Sequence, residues 1–181
     1  MSQYEEEEDE EEERDAYVFV ASGNSDTLQK LMGLKDRDQV RQVVPLLSGS
    51  YGALAFVRAG SLPELGEKLA IIRDEINPPP TDIAIAVKTG PYGPTRWSPK
   101  PPYRAYSRIR VEPGRTNEVM DAIEKYIDQD RCGSAVVAGS FDVLLELGGD
   151  SFEQLIDDLV ARVQTLPYIV WTDSALAHIK E

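Results

Sequence analysis

Cysteine and histidine are almost missing from this chain, which has only Cys132 and His178. A lone thiol closes no disulfide within the chain, so a reducing, cytoplasmic interior is the expected setting. One thiol and one imidazole far apart in sequence do not make a nucleophilic pair. They also fall short of the three or four ligands that a dedicated metal site takes. No metal or cofactor is therefore expected, and a strand-edge structural role is expected for His178. Long apolar runs are absent too: no stretch reaches the roughly 18 apolar residues of a membrane span. The N-terminus has neither the basic nor the apolar region of a secretory leader. A basic footprint is lacking as well. Arg14, Arg37, Arg41, Arg104, Arg108, Arg110 and Arg115 are dispersed among acids, and no segment reads as a helix–turn–helix, so direct DNA binding is not expected.

What is present is acid, concentrated in one place. Of the formal charge of -13, residues 5–13 alone supply an unbroken acidic run. The tail (1–14) cannot bury apolar surface and repels itself, so it is expected to be disordered. It reads as a solubilising extension, with a hook for a basic protein partner as the alternative. The rest of the 181 residues is mildly acidic, and 41% apolar residues over the whole chain suffice for a core.

The chain also repeats itself. Ser48-Gly49-Ser50-Tyr51-Gly52-Ala53-Leu54 returns as Ala138-Gly139-Ser140-Phe141-Asp142-Val143-Leu144. Strands are expected at 16–21, 40–46, 51–58 and 82–88, with Pro45 marking an edge or bulge. Helices are expected at 25–34 and behind a capping box of Ser61 and Glu64. A Pro/Gly-rich linker follows (90–102), carrying Trp97. The second unit repeats the plan: strands at 103–111, 134–138, 141–147 and 168–179, a helix at 116–126, and another behind a box of Asp150 and Glu153. Both units thus read strand–helix–strand–strand–helix–strand, the ferredoxin-like order. The expected division is a tail (1–14), a first domain (15–89), the linker (90–102) and a second domain (103–181).

Both alternating sets are apolar in strands such as Tyr17-Val18-Phe19-Val20, so both sheet faces must be buried. The expected class is α+β: tandem ferredoxin-like (βαββαβ) repeats packed sheet-to-sheet as a pseudo-dimeric α/β barrel.

Val111-Glu112-Pro113-Gly114, Gly139-Ser140-Phe141-Asp142-Val143-Leu144-Leu145 and Leu166-Pro167-Tyr168-Ile169 resemble motifs of the Lrp/AsnC effector-binding domain, also called the regulation of amino acid metabolism domain. The resemblance is clearer over 103–179 than over 15–88. The family's DNA-binding helix–turn–helix has no counterpart here. The resemblance implies a non-enzymatic, small-molecule-sensing or regulatory protein linked to transcription, with an amino-acid effector between paired units and a homo-oligomeric assembly.

Candidate ligand-binding residues are Gly139, Ser140, Phe141 and Asp142, with Gly49, Ser50 and Tyr51 in the first copy. Backbone N–H groups, hydroxyls and one carboxylate at a tight turn suit a small charged ligand. The bland alternative is a hairpin in which glycine supplies a positive φ and Asp142 bonds its own turn. No catalytic residue stands out. Two other functions remain open: an enzyme of the dimeric α/β-barrel type (monooxygenase or haem-handling), and a protein-binding assembly factor.

Overall fold

The computed structural model describes residues 13–77, 79–80, 82–89, 101–126 and 131–179. The acidic run up to residue 12 and Trp97 lie outside the described residues. The order is β1 (Arg14–Val20), α1 (Ser25–Asp36), β2 (Gln42–Pro45), β3 (Ala53–Ala59), α2 (Leu62–Glu75) and β4 (Asp82–Thr89). It continues with β5 (Tyr103–Val111), α3 (Thr116–Tyr126), β6 (Cys132–Ala138), β7 (Val143–Gly149), α4 (Phe152–Asp158) and β8 (Ile169–His178).

All eight strands belong to one antiparallel sheet, ordered β2-β3-β1-β4-β6-β7-β5-β8. This corrects the expectation of two sheets facing each other. β4 and β6, each an outer strand of its own half, pair from Ile85↔Ala138 to Thr89↔Ala135 and make the sheet continuous. Pairing satisfies backbone groups that an open edge would leave exposed, and strand twist curls the long sheet. The curl nearly closes it into a barrel. At the seam, the Leu47 N–H donates to the Leu176 carbonyl (2.7 Å) and the Leu176 N–H donates to Ser48 Oγ (3.0 Å). Pro45, which has no N–H to donate, sits at the end of β2 beside this seam, as an edge proline should.

Alternation along the strands sorts the core into three parts. Tyr17, Phe19, Phe56, Tyr106 and Leu144 point into the barrel, where residues of both halves meet. Ala16, Val18 and Val57 face Leu31, Leu65 and Ile72 of α1 and α2. Ile109, Val143 and Leu145 face Val119, Ile123 and Leu155 of α3 and α4. Each large apolar side chain so buried contributes about 1.5–3 kcal/mol. Helices cover the outside and side chains fill the inside.

The helix caps follow the sequence with one correction. Ser61 caps α2, its hydroxyl accepting from the Glu64 N–H, while Glu64 reaches back to the Gly60 N–H. For α4 the cap is Ser151 and not Asp150. Ser151 has the extended backbone of a cap and accepts from the Gln154 N–H, and the Gln154 side chain accepts from the Asp150 N–H. Gln154 serves as well as a glutamate in this reciprocal pattern. After α4 the chain widens into a π turn over Leu159–Val163, which seats Val163 in the core.

One polar group sits inside the barrel. Arg104 and Glu146 are fully buried; Arg104 Nη1 donates to Glu146 Oε1 (3.0 Å), and the Tyr106 hydroxyl donates to the same oxygen (2.8 Å). Burial, together with the adjacent carboxylate, pushes the Tyr106 hydroxyl well above its ordinary pKa and keeps it a donor. Glu146→Ala should cost about 3–5 kcal/mol in urea unfolding because it strands a buried guanidinium. Changing both Arg104 and Glu146 to Met should cost much less, and a double variant as unstable as Glu146→Ala would contradict this account.

Candidate functional site

One mouth of the barrel gathers most of the polar chemistry around a single arginine. Arg108, on β5, is 6% exposed and points inward. Its Nη1 donates to Asp82 Oδ2 (2.9 Å) and to the Tyr51 hydroxyl (3.0 Å), and its Nη2 donates to Asp173 Oδ2. The Ser140 hydroxyl donates to Asp82 Oδ2 at 2.5 Å. Four rings surround the guanidinium: its carbon lies 4.3 Å from the ring centre of Tyr51, 5.3 Å from those of Phe19 and Trp171, and 5.8 Å from that of Phe141. Such contacts favour a cation electrostatically. Burial acts to lower the Arg108 pKa, but the hydrogen bond it donates to Asp173 and the interactions with Tyr51 and Asp173 outweigh it, so the group stays above its ordinary value.

The strands dictate this meeting. Arg108 pairs with Leu144 on β7 and Asp173 on β8, and Phe19 pairs with Leu54 on β3 and Asp82 on β4. Leu54 and Leu144 close the two copies of the repeated segment. Phe19 and Arg108 therefore hold corresponding places in the two halves, as do Asp82 and Asp173, and Tyr51 and Phe141. Two carboxylates face one arginine, leaving this inner group with one excess negative charge. Asp173 is 19% exposed along its side chain, and Trp171 is 44% exposed at the rim. Arg110 joins the rim, donating to the Ser140 carbonyl (3.1 Å).

Of the candidates read from the sequence, Ser140, Phe141 and Tyr51 come together here. Asp142 does not: its carboxylate accepts from the Val111 N–H (2.8 Å), and its own N–H donates to the Ile109 carbonyl, which fastens the turn to β5. Gly139 serves packing, since a Cβ there would come within 3.1 Å of the Ile83 carbonyl oxygen. Gly49 has φ +90° and lies against Ala175. Ser50 is exposed and makes no hydrogen bond among the described residues.

Sequence reasoning missed Arg108, Asp82, Asp173, Trp171 and Phe19 as a group. The available signal was the alternating set Arg104, Tyr106, Arg108 and Arg110, polar groups on the face of β5 where an apolar set was expected.

Among the described residues no group of three or more His, Cys, Asp and Glu is placed to hold a metal ion. A haem finds no fitting ligand in His178. That imidazole stacks on Tyr103 (4.7 Å between centroids, 9° between planes), and Tyr103 meets Phe152 edge-on at 4.7 Å. One face of the half-buried imidazole is thus covered by Tyr103.

No family model matches the chain, and no curated protein matches it. Solved structures do share its fold. One is chlorite dismutase from Candidatus Nitrospira defluvii, 12% identical, with TM-score 0.59 over 92% of this chain and 91% of that one. Another is described as a "putative monooxygenase" from Lactobacillus acidophilus NCFM, 6% identical, with TM-score 0.56 over 91% and 92%. A third, also described as a "putative monooxygenase", comes from Fusobacterium nucleatum subsp. nucleatum, 13% identical, with TM-score 0.54 over 93% and 92%. These neighbours are dimeric α+β barrel proteins, and this chain has the same α+β, barrel-like architecture. The expected kinship with Lrp/AsnC effector domains, and with it a place in transcription regulation, is overturned: the fold matches lead elsewhere and no family model supports it. Of the short motifs that suggested it, Gly139–Leu145 is the turn that Asp142 fastens to β5, Val111–Gly114 leads from β5 to α3, and Leu166–Ile169 leads into β8. No helix among the described residues is long and apolar enough to cross a membrane.

The Arg108–Asp82 contact is open to direct measurement. A double-mutant cycle of Arg108→Met and Asp82→Asn, read by urea unfolding, should give a coupling energy of about 0.5–3 kcal/mol. Additive losses would show that the two groups do not act together.

Proposed function

We propose that the chain is an enzyme of the dimeric α+β barrel type, acting on a small organic molecule at the mouth around Arg108. Its two halves are read as tandem ferredoxin-like repeats, residues 15–89 and 103–181, joined edge to edge. The observation that carries the reading is the convergence of two carboxylates, two hydroxyls and exposed Trp171 on one buried guanidinium, with both halves contributing. Monooxygenation is the reaction class suggested by two of the fold neighbours.

The chain's own residues account for binding and orientation. Trp171 and Tyr51 offer ring surface to a planar apolar group. Asp173, partly exposed, and exposed Ser140 offer a carboxylate and a hydroxyl to a ligand's polar end. One excess carboxylate favours a neutral or cationic molecule over an anion. Arg108 holds both carboxylates in fixed positions before any ligand arrives, which lowers the cost of ordering them on binding.

A second reading, non-enzymatic binding of such a molecule, draws on a different observation. Arg108, Asp82 and Asp173 are already paired with one another, and neither His178 nor Cys132 belongs to the cluster. A mouth whose charged groups already hold one another suits recognition without proton transfer. Cys132, the one cysteine, is buried and closes no disulfide within the chain, in keeping with a reducing compartment under either reading.

Oxygen uptake by the full-length chain across a panel of small electron-rich aromatic compounds separates the two. Uptake that falls at least tenfold in Asp173→Asn supports the enzyme. Quenching of tryptophan fluorescence without uptake, lost in Trp171→Leu, supports binding alone. Neither response at millimolar compound would refute both.

A further inference from the structure

The opposite mouth carries a second set of charges that the proposed function does not use. An open cavity of about 250 Å³ lies there, lined by Glu13, Arg14, Asp15, Arg58, Lys88 and neighbouring residues of β4. Arg58 is held in place by Asp15: its Nε and Nη2 donate to the two carboxylate oxygens at 2.6 and 2.8 Å. This two-point grip leaves Nη1 as the free prong. Glu13 takes it, at 2.8 Å, with a side chain that is 62% exposed. Lys88 is exposed and has no acceptor among the described residues. With Glu13 set aside, the lining presents Arg58 and Lys88 against the one carboxylate of Asp15.

We propose that this cavity is a binding site for a small multivalent oxyanion, phosphate- or carboxylate-bearing, and that Glu13 is its resident competitor. The Glu13 side chain is 62% exposed, and an ion pair to so exposed a carboxylate is weak, so Glu13 is easily displaced. Arg58 stays preorganised by Asp15 when that happens, and its planar fork suits phosphate or carboxylate oxygens. Lys88 adds a second, mobile charge on the same rim. Glu13 is also the last residue of the acidic run at 5–13. Eight more acids directly precede the competing carboxylate and oppose any incoming anion through their field, an effect that salt screens. Occupancy is thereby coupled to ionic strength.

Calorimetric titration of the full-length chain with pyrophosphate, and separately with citrate, tests the assignment at about 150 mM salt, where a Debye length of about 8 Å damps the field of the preceding acids. Saturable binding of at least one probe is expected, with a preference between them identifying the phosphate or the carboxylate source. Glu13→Gln should tighten that binding several-fold. Lys88→Met should weaken it about tenfold without changing the melting temperature, since the side chain is exposed. The proposal is overturned if neither probe binds the parent or Glu13→Gln. It is equally overturned if Lys88→Met binds as well as the parent, or if Glu13→Gln leaves the affinity unchanged.

Discussion

Every other feature of the molecule depends on keeping both faces of one sheet dry. Strands that are apolar on both sides cannot rest with one face in water, and four helices cover only one face. The other face has to be covered by the sheet itself, and curling into a barrel achieves this. Tyr17, Phe19 and Phe56 of the first half then pack with Tyr106, Phe141 and Leu144 of the second. The inner core belongs to neither half alone, so separating the halves would expose it at once.

The same constraint places the polar chemistry. A barrel filled with side chains leaves room for charge only where its interior meets solvent, at the two mouths, or where a buried pair is fully matched. Arg104 with Glu146 is the matched pair. Arg108 with its two aspartates occupies one mouth, and Arg58 with Asp15 the other. Burial grades across the three sites, from sealed to part-open, and the capacity to meet a ligand rises in the same order. The fold shared with chlorite dismutase and with the monooxygenase-described proteins fixes the frame, and at 6–13% identity the likeness extends to the frame alone.

Element positions were legible in the sequence because they depend on local signals. Ser61 with Glu64 marked a helix start, and the Gly-Ser turns marked where strands begin. The burial of both faces was legible from Tyr17-Val18-Phe19-Val20. That the second half covers the first half's inner face was legible as well; that β4 and β6 join the two into one sheet was not, because pairing between distant edges leaves no local trace. The cap of α4 was misplaced by one residue because Asp150 and Ser151 are both good caps, and Gln154 decided between them. The site was half-legible. Ser140, Phe141 and Tyr51 lie in the repeated segment and drew notice, whereas Asp82, Arg108 and Asp173 become neighbours only through strand register. Asp142 misled because a turn carboxylate that ties down a backbone N–H has the same sequence signature as one that waits for a ligand. The family likeness misled for a related reason: turn and cap motifs report how a strand is entered, which unrelated functions share.

Phe19 and Arg108 hold corresponding places, yet one is a ring and the other a cation. In an assembly of two identical chains about a dyad, any residue set at that spot faces its own image, so two arginines or two phenylalanines would crowd the opening together. A single polypeptide containing both halves is released from that rule. It can set one charge against two acids and cushion it with the ring its twin position supplies, and each half is free to diverge without forcing the same change on the other.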